Sequence, residues 1–122
     1  MAIEDLDHYT INVTDLEDSV QFYREVIGLN HSAPPRPDFN GAWLYLGARP
    51  IVHLFAGRRP NGLANGALDH VAFRFSDFEG TCVRLKKSGI ELRPQGEAGK
   101  RRQIFLHDVD GVKIELNFPV SS

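Results

Sequence analysis

Three histidines and one glutamate recur at a fixed spacing that suits metal coordination. His8 and His70 are 62 residues apart, and His53 and Glu115 are separated by the same 62 residues. Three imidazoles and one carboxylate suit a divalent cation such as Fe²⁺, Zn²⁺, Ni²⁺, Co²⁺ or Mn²⁺. Four protein ligands leave positions open for water or substrate oxygens, as a catalytic metal requires. The spacing predicts one divalent metal ion at His8, His70, Glu115 and His53, with an acceptor behind each imidazole that fixes its tautomer.

The fixed spacing reflects an internal duplication of the chain. Residues 6–17 and 68–79 are identical at five of twelve positions, and Trp43-Leu44 aligns with Phe105-Leu106 at the same offset. A repeat of this kind indicates two copies of one structural unit. We therefore predict a single domain over residues 1–122, made of module 1 (3–56) and module 2 (67–118).

Each module reads as one strand, one helix and three further strands. Alternating residues predict first strands at 6–13 and 69–75. Thr14-x-x-Glu17 and Ser76-x-x-Glu79 resemble capping boxes, and the helices that follow should end at Gly28 and Gly89. The remaining strands are predicted near 29–32, 41–47 and 50–56, and near 91–93, 102–107 and 112–118. The predicted fold class is α+β, with two tandem βαβββ modules forming a curved mixed-sheet cup.

One face of the predicted strands is polar and carries the candidate ligands. Such a face is often merely solvated, and only the symmetric placement of the four donors favours a site. Arg74 and Lys113 share this face, which predicts a small anionic substrate such as a carboxylate or phosphate. The alternative is that both cations pair with acidic neighbours. The other predicted substrate-binding residues are Asn12, Trp43 and Phe55, although core packing is the commoner fate of the aromatic ones.

Composition excludes several classes of protein. The net charge of −2 argues against a nucleic-acid or anionic-membrane binder, and no apolar run approaches the roughly 20 residues of a membrane span. The single cysteine, Cys82, excludes an intrachain disulfide and a multi-thiolate metal site. The acidic start Met-Ala-Ile-Glu-Asp differs from a signal peptide, so we expect a cytoplasmic protein.

The sequence resembles the vicinal oxygen chelate superfamily, which includes glyoxalase I, extradiol dioxygenases, methylmalonyl-CoA epimerase and fosfomycin-resistance thiol transferases. The matching segments are residues 6–29, residues 68–73 and the ending Asp108-Val109-Asp110-Gly111-Val112-Lys113-Ile114-Glu115-Leu116. The family's ending usually has proline where this chain has Val109. The resemblance covers essentially the whole chain.

The resemblance implies a metal triad of His8, His70 and Glu115. Position 53 matches the family's fourth ligand, which is usually Glu or Gln in glyoxalase I and the epimerase, whereas this chain has His53. The resemblance also implies a homodimer. The expected function is a metal-dependent enzyme acting on a small substrate with vicinal oxygens. Its chemistry is either that of a lyase or isomerase, with Glu115 moving a proton, or that of a ring-cleaving dioxygenase. The alternative is a metal-free, antibiotic-sequestering protein of the same fold.

Overall fold

The computed structural model describes residues 4–32, 36, 38–58, 68 and 70–120. The chain divides into two units, Met1–Pro60 and Asn61–Ser122. The predicted module starts, residues 3 and 67, lie outside the described residues. No helix among the described residues is long and apolar enough to cross a membrane.

The first unit contains one helix and a four-stranded mixed sheet. Strand β1 runs parallel to β4, and the other pairs are antiparallel, in the order β1-β4-β3-β2. Helix α1 continues directly into a segment of π-helix, Tyr23–Ile27, and Gly28 ends it in the left-handed conformation at φ 95°. The elements are β1 (Tyr9–Asn12), α1 (Leu16–Phe22), β2 (Asn30–Ser32), β3 (Gly41–Leu46) and β4 (Arg49–Phe55).

The second unit repeats this order of elements. Its sheet has the order β5-β8-β7-β6, with β5 parallel to β8 and the other pairs antiparallel. The elements are β5 (Val71–Arg74), α2 (Phe78–Lys87), β6 (Arg93–Gln95), β7 (Arg102–His107) and β8 (Lys113–Phe118). The predicted α+β class with two βαβββ units is therefore confirmed.

The first strand of each unit is shorter than the alternating pattern predicted. Strand β1 covers Tyr9–Asn12 rather than 6–13, and β5 covers Val71–Arg74 rather than 69–75. Just before β1, the Leu6 backbone forms hydrogen bonds with side chains: its amide donates to the Asp5 carboxylate, and its carbonyl oxygen accepts from Arg49. His8 and His70 thus each lie one residue before a strand. Strand β6 also begins later than predicted, at Arg93.

The helices begin one residue later than the predicted capping boxes. Asp15, not Thr14, caps α1 by accepting from the Asp18 amide at 3.0 Å, and Asp77, not Ser76, caps α2 by accepting from Gly80 at 3.1 Å. A carboxylate accepts an exposed amide hydrogen bond as well as a hydroxyl does and also favours the positive end of the helix dipole. The adjacent aspartate therefore takes the capping role in both units.

Each sheet packs its apolar face into a core. Leu44, Val52 and Leu54 are fully buried in the first unit, as are Ile104, Ile114 and Leu116 in the second. The helical segments add Tyr23 to the first core and Leu85 to the second, both fully buried. The backbones of β3 and β4 lie so close at Gly41 that a Cβ atom there would be 1.9 Å from the Leu54 carbonyl oxygen. Alternation along each strand then leaves the opposite face for polar residues.

Replacing Leu44 by alanine should destabilise the protein strongly. Leu44 is 0% exposed in the middle of β3, so truncation leaves a cavity and should reduce the free energy of unfolding by about 2–5 kcal/mol. Leu46→Ala is the matched control, because Leu46 lies on the same strand and is 57% exposed. Chemical denaturation monitored by circular dichroism measures both. Equal losses in the two variants would contradict this assignment of the core.

Candidate metal centre

His8 and His53 form a stacked pair of imidazoles in the first unit. The parallel pairing of β1 with β4 places Thr10 opposite His53, so the side chain two residues earlier, His8, reaches the same face. The two ring centroids are 3.8 Å apart and the planes differ by 11°. His8 Nδ1 donates to the Asp7 carboxylate, and this hydrogen bond lowers the pKa of Asp7. Nε2 is therefore the His8 nitrogen with a lone pair for a cation.

His53 is held on three sides. Its Nε2 donates to the Pro50 carbonyl oxygen at 3.0 Å, which leaves Nδ1 as the ring acceptor. The indole of Trp43 is stacked with the His53 ring at a centroid distance of 4.3 Å and an interplanar angle of 14°. Burial lowers the pKa of His53, and the neighbouring His8 lowers it further. His8 and His53 therefore each have an oxygen acceptor for one ring nitrogen.

His70 and Glu115 form the corresponding pair in the second unit. The parallel register places Ala72 opposite Glu115, and His70 reaches the same face from just before β5. His70 Nε2 lies 3.1 Å from Glu115 Oε1. Glu115 is only 8% exposed, and a buried carboxylate requires a partner such as this imidazole. The sequence analysis named both residues as candidate ligands, at the positions that correspond to His8 and His53.

The donor set suits a divalent metal ion. Two ligand atoms that each lie about 2.0–2.1 Å from one ion are about 2.9–3.4 Å apart at ordinary coordination angles. The spacing between His70 Nε2 and Glu115 Oε1 falls in this range. Within either unit, however, the described residues include no group of three or more His, Cys, Asp or Glu side chains that could hold an ion. Each unit thus supplies one pair of donors.

The predicted substrate-binding polar residues lie on the same sheet faces as these pairs. Arg74 is exposed and stands opposite Asn117, while Lys113 Nζ lies 5.1 Å from the centroid of the Phe105 ring. In the first unit, Asn12 Oδ1 is buried and accepts no hydrogen bond from any described residue. Asn117 Oδ1 in the second unit is also buried and accepts no hydrogen bond from any described residue, and the sequence analysis did not name it as a substrate-binding residue.

An aromatic cluster adjoins the first pair of donors. Phe39 makes edge contacts with Trp43 and Phe55 at centroid distances of 6.4 and 5.1 Å. The Arg58 guanidinium lies 3.8 Å from the centroid of the Phe55 ring. Trp43 and Phe55 were predicted as substrate-binding residues, and both remain half-buried rather than fully packed. Phe39 was missed, because it lies in a proline-rich segment with no strand periodicity.

Several other basic and histidine residues lie apart from the paired donors. His31 in β2 and His107 at the end of β7 are exposed. Lys100 pairs with Glu97 at 3.4 Å, and Arg102 pairs with Glu79 at 2.8 Å while covering the Phe78 ring. Two grooves, of about 450 and 580 Å³, lie beside α1 and α2, and none of the four candidate ligands lines either. The four candidate ligands therefore lie on the polar sheet faces and not in either groove.

Two curated relatives align with nearly the whole chain. The protein named Glyoxylase I 4 of Arabidopsis thaliana is 28% identical over 95% of this chain and 71% of its own length. The metallothiol transferase FosB of Lysinibacillus sphaericus is 28% identical over 96% of this chain and 84% of its own length.

Solved structures show the same fold. A glyoxylase/bleomycin resistance protein/dioxygenase domain from Frankia sp. EAN1pec superposes with a TM-score of 0.77 at 21% identity, covering 97% of this chain and 93% of that domain. TnmS3, an antibiotic-binding protein from Streptomyces sp. CB03234, superposes with a TM-score of 0.72 at 27% identity, covering 98% of each chain. The family model of the Glyoxalase/Bleomycin resistance protein/Dioxygenase superfamily matches residues 5–116. With its two βαβββ units, this chain belongs to the Glyoxalase/Bleomycin resistance protein/Dioxygenase superfamily.

Proposed function

We propose that the protein is a metal-dependent enzyme acting on a small substrate with vicinal oxygens. The observation that carries this proposal is the pair formed by His70 Nε2 and the buried Glu115 Oε1, 3.1 Å apart. His8 is the third ligand of the proposed triad, and the hydrogen bond from Nδ1 to Asp7 leaves the lone pair on Nε2. Relatives named as a glyoxylase and a metallothiol transferase support an enzyme of this kind.

The bound cation would supply a Lewis acid for a substrate oxygen. Glu115 would then serve as the general base of a lyase or isomerase, because its carboxylate has two oxygens, of which Oε1 lies 3.1 Å from His70 Nε2. The proton removed from the substrate carbon beside the two oxygens is held on Glu115 and returned to the neighbouring carbon or oxygen. Burial of Glu115 keeps bulk water from competing for that proton.

Ring-cleaving dioxygenase chemistry is the second candidate reaction. The His/His/carboxylate set is one that non-haem Fe²⁺ enzymes use, and its open positions suit a catechol-like diol. Metal analysis of protein purified without chelator separates the two reactions. Iron favours the dioxygenase, whereas nickel, zinc or cobalt favours the lyase or isomerase.

The metal-free binding protein is a candidate of another class. The half-buried cluster of Phe39, Trp43 and Phe55 offers an aromatic surface for an organic ligand, and the antibiotic-binding TnmS3 shares the fold. A sequestering protein needs no cation, so it should bind its ligand equally well after exhaustive chelation. The paired donors favour the enzyme.

Loss of a triad ligand should abolish metal binding. His70→Ala and Glu115→Ala each remove one of the two atoms of the 3.1 Å pair, and affinity for Zn²⁺ should fall by more than the roughly 10–100-fold that loss of an outer partner causes. Isothermal titration with Zn²⁺ and elemental analysis measure the effect. His107→Ala, an exposed histidine of the same unit, should bind normally. Stoichiometric metal in His70→Ala protein would refute the triad.

The substrate should be a small anion that Arg74 and Lys113 recognise. Both cations lie on the polar face that carries Glu115, so a carboxylated ligand should raise the melting temperature of the metal-loaded protein more than its neutral amide does. Arg74→Ala should remove this preference, and Lys87→Ala, an exposed cation on α2, should not. Equal stabilisation by the neutral amides would contradict an anionic substrate.

The protein should be a homodimer. Among the described residues, neither unit alone holds three side chains that could bind an ion, and two-fold symmetric dimers are the commonest oligomers. Sedimentation equilibrium of the metal-loaded protein should give twice the monomer mass. A concentration-independent monomer with stoichiometric metal would show that one chain completes its own site.

A further inference from the structure

We propose that His53 is a positioning residue that holds the His8 ring in place, rather than a fourth metal ligand. This proposal rests on the metal triad proposed above and assigns a separate role to the position next to it. The structural basis is a column of three rings, Trp43, His53 and His8, which we name the ring stack.

The geometry of the ring stack separates His53 from the triad. An imidazole binds a cation through a lone pair that lies in the ring plane, at about 2.0–2.1 Å. The His8 and His53 ring planes differ by only 11° and their centroids are 3.8 Å apart, so the two rings are nearly parallel and stacked. A cation in the plane of His8 therefore lies out of the plane of His53. In this arrangement only one of the two rings can be a ligand.

His8 is the ring that needs support. It precedes β1, outside the strand ladder, and its side chain is 34% exposed. The hydrogen bond to Asp7 sets the tautomer of His8, but Asp7 is 92% exposed and restrains the orientation of the ring only weakly. Among the described contacts, the face of His53 is what restrains rotation of the His8 ring.

His53 is suited to this role because it is anchored from behind. Nε2 is committed to the Pro50 carbonyl at 3.0 Å, and the other ring face lies against Trp43. Trp43 in turn makes an edge contact with Phe39. Trp43 and the Pro50 carbonyl therefore hold the His53 ring, and the His53 ring in turn restrains the ring of His8.

Two substitutions of His53 distinguish positioning from ligation because they should act in opposite order. His53→Phe keeps a planar ring but removes both nitrogens, so a positioning role predicts Zn²⁺ affinity close to that of the wild type. His53→Gln keeps a donor atom of the kind the family uses at this position but removes the ring. A positioning role predicts that it weakens affinity about 10–100-fold, as loss of an outer partner does. The reverse order would overturn the proposal.

A readout without metal tests the ring stack independently of the triad. Nitrogen-correlated NMR of the histidine rings in the metal-free protein should show one sharp set of His8 ring signals in the wild type and in His53→Phe, and His8 signals broadened by ring motion in His53→Gln. Trp43 is the only tryptophan, so its emission reports whether the stack persists. Unchanged His8 signals in His53→Gln would overturn the proposal. Metal retained by His70→Ala would instead refute only the triad.

Discussion

The parallel pairing between the first and last strands of each unit is the constraint on which the candidate site depends. Because β1 runs beside β4 and β5 beside β8, a residue just before the first strand shares a face with one in the middle of the last. That register brings His8 to His53 and His70 to Glu115. Backbone pairing thus forms each donor pair, and side-chain packing only refines it.

The same backbone arrangement carries a different kind of side-chain contact in each unit. In the first unit, two imidazoles lie face to face, and each uses one nitrogen for a hydrogen bond to a neighbouring oxygen. In the second unit, an imidazole and a buried carboxylate meet edge to edge through Nε2 and Oε1. Substitution at one duplicated position, histidine for glutamate, therefore changes the pair from a stack to a donor–acceptor contact. The two units thus share the strand register but differ in the chemistry of the donor pair.

Strand periodicity and the repeat offset predicted the fold and which face carries the four candidate ligands, because both depend on backbone geometry. The orientation of the rings could not be predicted in this way. Stacking of His53 on Trp43 depends on rotamers that only tertiary packing selects. Thr14 and Asp15 are both suitable helix caps, and the sequence does not show that Asp15 is the one whose side chain reaches the Asp18 amide. Asp7 belongs to the repeated Asp-His dipeptide, but its hydrogen bond to His8 depends on local conformation that the sequence pattern does not reveal.

The π-helical segment Tyr23–Ile27 accommodates one residue more than the corresponding helix of the second unit. The helix caps Asp15 and Asp77 are 62 residues apart, but the glycines that end the helices, Gly28 and Gly89, are only 61 apart. A π-turn holds one more residue than an α-turn, so the surplus is absorbed inside the helix. The offset returns to 62 at His53 and Glu115, which requires a compensating residue fewer between the first helix and β4 than between the second helix and β8. Length changes between the repeats are thus confined to segments away from the strand register that positions the donors.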